Sequence, residues 1–270
     1  MHDPIFAPLD VSDSVNNAIE NLTDKPTTEM GNTIGDIWYL IFGGISYHAE
    51  KRKIKYAHAL EEYRQSLENK VLSIPDYRLK EPDLQVIGQA LDDSKYCAEN
   101  ENVRSLFENL IASSIDKGKE AFVHPSFSGM IKQMSALDAK NMALYKDVRQ
   151  IPIVEYRLVR VNGTFTTIER NYTLVNLDIA TVHQQQASFS SLERFGLIDI
   201  DYTIFIPGES VYSDFENTSI MQQMRSFVVP APDGGFSRPK DDEVYKEATF
   251  IKGRALITPL GENFIKACFE

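Results

Sequence analysis

Apolar residues recur at three-and-four spacing through the first half of the chain and alternate through much of the second; the period changes near Arg149. Val103, Leu106, Phe107, Leu110 and Ile111 lie on one stripe and predict a helix with a single buried face. Leu60, Tyr63, Leu67 and Val71 predict another upstream, beginning near Ile45, carrying Lys51, Arg52 and Lys53 on its solvent side and stopping before Pro75. Asp83 is placed to cap a helix that contains Leu84, Ile87 and Leu91, and Asn100 or Glu101 opens the Val103 helix. Ser126 is expected to cap a short helix bearing Phe127, Met130, Ile131 and Met134. Ser135 with Asp138 three residues later forms a capping-box pattern for the next.

Past Pro152, residues 153–161 and 164–172 are rich in β-branched and aromatic side chains and flank Asn162-Gly163, a strong hairpin signal. Asp178 is read as the cap of a helix reaching Phe195, Gly196 as its stop, and residues 197–206 as a strand. A polar excursion follows, with a helix over 214–227 and a Pro/Gly-rich loop over 230–239. Residues 245–257 read as the returning strand, and Thr258-Pro259 as the N-cap and first position of a closing helix through Cys268. The expectation is an α+β protein, mainly α. An all-helical domain covers 1–149, and a β-hairpin plus a winged-helix-like α/β domain with an enlarged wing covers 150–270.

With 270 residues, 43% of them apolar, the chain can bury a sizeable core. Its formal charge of -11 repels phosphate backbones and anionic lipid, and each half is acidic by itself, which disfavours a nucleic-acid partner. Cys97 and Cys268 form neither a disulfide framework nor a metal-ligand spacing, and no signal-peptide pattern opens the chain, so a cytoplasmic location is expected. The longest apolar stretch, residues 37–45, is shorter than the roughly 20 residues of a membrane span.

The common nucleophilic, nucleotide-binding and zinc motifs do not occur, so no cofactor, no metal and no enzymatic reaction is predicted with any specificity. Arg52 and His58, less than two helical turns apart, match the R-x(4 to 6)-H spacing of HEPN ribonucleases. There histidine moves the proton and arginine stabilises phosphorane charge. A solvated helix face explains the same pair. In His124-Pro125-Ser126-Phe127 the proline implies a turn, with a capping serine rather than a nucleophile. Trp38, Tyr39 and Phe42 sit in a dense apolar run that suits either core or a partner surface. Gln184, Gln185 and Arg194 are the side chains that a winged-helix recognition helix would offer to DNA.

Three segments taken together, GDIWYLIFG at 35–43, the stretch 81–117 and HPSFSGMIKQMSALDAK at 124–140, resemble the bacterial Abi-alpha family. The closing LITPLGENFIKAC at 256–268 is similar to the end of many members. The likeness covers most of residues 30–200. It implies a part in abortive infection, an antiviral defence in which a bacterium limits phage spread at the cost of the infected cell. It carries no mechanism and no catalytic residue. With the motif census it favours a non-enzymatic protein that acts by partner contact or as a homo-oligomer. The alternatives are an RNA-cleaving toxin using Arg52 and His58, a winged-helix DNA-binding regulator, and membrane disruption through the Trp38 region.

Overall fold

The computed structural model describes residues 50–81, 83–228 and 244–270, and the side chains among them except those of 50–55 and 84. The Trp38, Tyr39 and Phe42 segment, the start expected near Ile45 and the 230–239 loop lie outside these residues. The protein is mixed α and β, with one four-stranded antiparallel sheet. It divides into two compact units. One holds the described residues as far as Ala139 together with Asn263–Glu270, and the other holds Lys140–Glu262.

The first unit is helical. Helix α1 spans Glu50–Leu72 and buries Leu60, Tyr63, Leu67 and Val71, the stripe that the spacing marks. Helix α2, Leu84–Ser94, starts where the Asp83 carboxylate accepts the Gln85 N–H, as expected, and buries Val86, Ile87, Ala90 and Leu91. Helix α3, Glu101–Ser114, faces both and buries all five predicted stripe residues. Helix α4, Ser126–Gln133, inserts Phe127 and Ile131 into this core, with the Phe127 ring edge-on to Phe264 at 5.0 Å. Edge-to-face pairing adds to what burial alone supplies. Helix α5, Ala136–Ala143, opens with the predicted capping box: the Ser135 N–H donates to Asp138 Oδ2, and the Asp138 N–H to Ser135 Oγ.

The second unit is organised by its sheet. Strand β1, Gln150–Arg160, and strand β2, Phe165–Tyr172, form the hairpin predicted at Asn162-Gly163, where Gly163 holds a φ of 86°. Strand β3 is Ile198–Asp201 and strand β4 is Tyr245–Ile257; the order across the sheet is β2-β1-β4-β3. β1 pairs with β4 along nearly its whole length, so the hairpin and the returning strand form a single sheet rather than separate pieces. Along β1, the side chains of Val154, Tyr156 and Leu158 enter a core with Tyr172, Tyr212, Phe215, Met221 and Met224. The Tyr156 hydroxyl is satisfied there by donating to the Phe215 carbonyl at 2.8 Å.

Three boundaries differ from the sequence expectation. Helix α6 is Val182–Arg194 and is capped by Thr181, not Asp178; Thr181 and Gln184 make the full reciprocal box. Thr181→Ala is expected to cost about 1 kcal/mol in urea unfolding, with Asp178→Ala near neutral; the reverse order would refute the assignment.

β3 stops at Asp201 rather than near Ile206, because the Asp201 carboxylate turns the chain by accepting the Thr203 N–H and hydroxyl at 2.7 and 2.6 Å. Tyr202 then lies over Gly253 of β4, where a Cβ would come within 2.6 Å of its ring, and its hydroxyl reaches Asn171 on β2. The single helix expected over 214–227 is a 3₁₀ stretch, Ser210–Asn217, followed by helix α7, Ser219–Ser226, which Thr218 caps. The sequence closes with helix α8, Pro259–Cys268, capped by Thr258 as predicted.

Candidate functional site

Charged side chains in the first unit collect along α1 and α3. Glu108 of α3 is 3% exposed, and its carboxylate accepts the Ser66 hydroxyl at 2.6 Å. Arg104 Nε lies 3.5 Å and Lys70 Nζ 3.7 Å from the same carboxylate, so two cations from neighbouring helices neutralise one buried anion. Arg104 extends the chain of charges to Glu62, and Glu62 to His58. His58, the proposed acid or base, is thus an exposed α1 side chain whose Nδ1 stands 3.3 Å from Glu62. The Arg52 side chain lies outside the described ones, so convergence of the pair is not seen.

A cleft of about 290 Å³ opens where α1 and α3 end. Its wall is made by a short pairing of two connecting segments. The Lys80 N–H donates to the Ile115 carbonyl and the Lys117 N–H to the Arg78 carbonyl, which brings Leu79 opposite Asp116. Across this pairing the Arg78 guanidinium grips Asp116 with two parallel bonds of 2.8 and 2.6 Å, the bidentate geometry that arginine supplies and lysine cannot. Gly118 donates its N–H to the same carboxylate. It also leaves room for the guanidinium, since a Cβ there would overlap Arg78 Nη2. Lys70 and Lys119 complete the cationic lining. Burial pushes the Lys119 ammonium below the ordinary lysine range, with Glu270 and Asp116 pulling the other way.

In the His124 motif the turn and the packing role expected of His124 are present, but the cap expected at Ser126 is not. Pro125, not Ser126, precedes the first helical residue of α4, and no hydroxyl caps it. His124 does so instead: its Nδ1 accepts the Ser126 N–H at 3.2 Å and lies 2.7 Å from the Ser126 hydroxyl. The imidazole ring also packs on Phe127, centroids 5.8 Å apart. Histidine takes over part of the capping because its ring nitrogen, two residues before the helix, reaches the Ser126 N–H, one of the orphan donors of the first turn.

On α6, Gln184 and Arg194 are exposed, but Gln184 closes the Thr181 box and the Arg194 guanidinium lies 4.5 Å over the Phe195 ring. Gln185 points inward at 1% exposure and exchanges hydrogen bonds with Asn141 and the Asn176 carbonyl. A DNA groove therefore could not meet Gln185 without unpacking this unit.

Sequence reasoning missed Lys70, Arg78, Asp116 and Lys119. The one local hint was Asp116-Lys117-Gly118-Lys119, a turn signal rich in cations just past a helix end. Among the described residues, no group of three or more His, Cys, Asp and Glu could hold a metal ion, and no helix is long and apolar enough to cross a membrane.

The fold and its charged features define a mixed α/β protein with a helical unit that carries a cationic cleft and a second unit built on an antiparallel sheet. The family model for abortive infection alpha matches residues 55–268, and the chain belongs to that family. No curated protein and no solved structure matches it.

Proposed function

We propose that the protein serves abortive infection by binding a protein partner in the cytoplasm, not by catalysing a reaction. Family membership supports the biological role. The observation that carries the mode of action is the apolar rim at the end of α1. Leu72, the last residue of α1, is 75% exposed, and Tyr77, in the 3₁₀ turn Asp76–Arg78 that follows, is 80% exposed. Neither side chain is needed by the core beneath. Large exposed aromatic and aliphatic groups held on a fixed turn are what a partner uses as anchors.

Leu72→Ser with Tyr77→Ser is expected to leave the far-ultraviolet circular dichroism and the unfolding midpoint unchanged while abolishing plaque reduction in cells expressing the protein. Full plaque reduction by this double variant would refute the reading. The ribonuclease reading gives the opposite pattern, in which Arg52→Ala and His58→Ala each abolish defence along with RNA cleavage by the purified chain. The regulator reading treats α6, β3 and β4 as a winged-helix-like unit with an enlarged wing, and it requires salt-sensitive retardation of DNA.

A further inference from the structure

The cleft at the ends of α1 and α3 has a feature that packing alone does not require. Lys70 is occupied by Asn109 at 2.5 Å and by Glu108, and Arg78 is gripped by Asp116 through Nε and Nη2. The Lys119 ammonium, unlike the Lys119 backbone, makes no hydrogen bond or ion-pair contact among the described residues, and Glu270 and Asp116 act on it only from a distance. It is nevertheless half-buried, in a protein whose formal charge is -11. An acidic chain that withdraws a lysine from water without giving it an acceptor bears a desolvation cost, which an incoming anion would offset.

The lining around Lys119 suits an oxyanion with several acceptor atoms. The Nη1 edge of Arg78 is left over by the Asp116 grip, and Ser73 and Ser113 place hydroxyls in the same wall. Ser73 and Ser113 already donate their protons to the Lys70 and Ala267 carbonyls, so hydrogen bonds to the anion come mainly from Lys119 and Arg78. We propose that the cleft binds the phosphoryl group of a small soluble phosphorylated ligand, with Lys119 as its principal counter-ion and the free edge of Arg78 as the second donor. A space of about 290 Å³ admits a diphosphate or a compact phosphoester and is too small for a folded partner. Glu270 lines the same cleft and opposes Lys119 electrostatically, so it competes with the ligand for that charge.

The proposal is independent of the partner surface, although Leu72 and Tyr77 stand on the adjoining turn. The test is calorimetric titration of the full chain with inorganic pyrophosphate, at constant ionic strength set by sodium chloride. Saturable binding is expected. Lys119→Met should weaken it about tenfold or more, the loss of one charge-assisted contact. Glu270→Gln should tighten it severalfold, since it removes the competing carboxylate while leaving the side chain's shape. Both variants should match the parent in circular dichroism and unfolding midpoint.

The two arms separate a built site from a general attraction to cations at helix ends by size: a general attraction follows net charge alone and would shift the two variants by small, equal and opposite factors, whereas a built site makes the loss in Lys119→Met exceed the gain in Glu270→Gln. Absence of saturable pyrophosphate binding, or an affinity unmoved by Lys119→Met, overturns the proposal. So does binding to vesicles containing phosphatidylglycerol without binding to pyrophosphate, which would assign the cations to a lipid headgroup. Loss of pyrophosphate binding in Lys119→Met with plaque reduction retained would leave the partner reading standing, so the two ideas fail separately.

Discussion

Replacing Glu108 with alanine is expected to lower the unfolding free energy by about 3 kcal/mol, read as a fall in the urea midpoint followed by far-ultraviolet circular dichroism. The effect comes less from the loss of an attraction than from what is left behind. Arg104 is only 12% exposed and owes its low-energy position to the carboxylate; without it, a guanidinium stays desolvated against α1. Ser66 loses the acceptor of its 2.6 Å hydrogen bond, and the missing side chain opens a hole between α1 and α3. Lys70, 32% exposed, can rehydrate, and Arg104 keeps its bond to the Ala98 carbonyl at 3.1 Å, so the cost sits at the low end for a broken buried pair. Glu108→Gln keeps the volume and an acceptor for Ser66, and should cost about half as much. Because the pair is buried, moderate added salt should leave the difference nearly unchanged. A Glu108→Ala variant within about 0.5 kcal/mol of the parent would mean that the two cations find water as easily as they find Glu108.

This buried carboxylate marks the limit of what the chain discloses by reading along it. Helices α1, α2 and α3 were legible because each writes its buried stripe at a fixed spacing, and their starts and stops carry local signals such as Asp83 and Pro75. The Ser135–Asp138 box, the Asn162-Gly163 turn and the Thr258 cap were legible for the same reason: both partners of each contact lie within three residues. Contacts between distant residues leave no such trace. Glu108 meets Ser66 across 42 residues, Arg78 meets Asp116 across 38, and β1 meets β4 across most of the second unit. Nothing local distinguishes Arg78 from any solvated cation, and the Asp116–Lys119 turn signal does not say what it faces, so the cleft emerges only when the segments around Leu79 and Asp116 pair.

Two misplacements have a different cause. Thr181 displaced Asp178 as the cap of α6 because Gln184 lies three residues after Thr181 and can return its hydrogen bond, whereas Asp178 has the cap chemistry without the partner spacing. His124 displaced Ser126 because the proline between them fixes a turn that delivers the imidazole to the first helical N–H. In both cases the residue type alone was a weaker guide than the geometry of its neighbours. The strand past Asp201 failed for a third reason. Ile204 and Phe205 continue an apolar pattern but are more than half exposed, because the Asp201 turn and the Tyr202 crossover take the chain off the sheet.

The start of α8 carries the second large prediction, Gly261→Ala. Thr258 ties this helix to the end of α6: its N–H donates to the Leu197 carbonyl at 3.0 Å and its hydroxyl to the Gly196 carbonyl at 2.6 Å. The Gly261 N–H closes the cap on Thr258 Oγ1 at 3.0 Å. These bonds bring the first turn of α8 so near the Leu197 backbone that a Cβ on Gly261 would overlap the Leu197 carbonyl oxygen and come within 2.8 Å of Ile257 Cγ1. A side chain in the way could rotate, but a carbonyl fixed by hydrogen bonds cannot. One methyl group must therefore separate α8 from the 196–197 corner, at a cost on the order of 3 kcal/mol, with loss of the Thr258 cap bonds.

The same substitution at Gly129, inside α4, meets nothing within 4 Å of the added Cβ. There alanine should stabilise by about 0.5–1 kcal/mol, through helix propensity and the reduced freedom of the unfolded chain. Opposite signs for two glycine-to-alanine changes, measured by urea unfolding in one protein, would isolate the close approach at Leu197 from any general effect of glycine. A Gly261→Ala variant as stable as the parent would show that α8 and the Gly196 corner do not lock together in solution through Thr258.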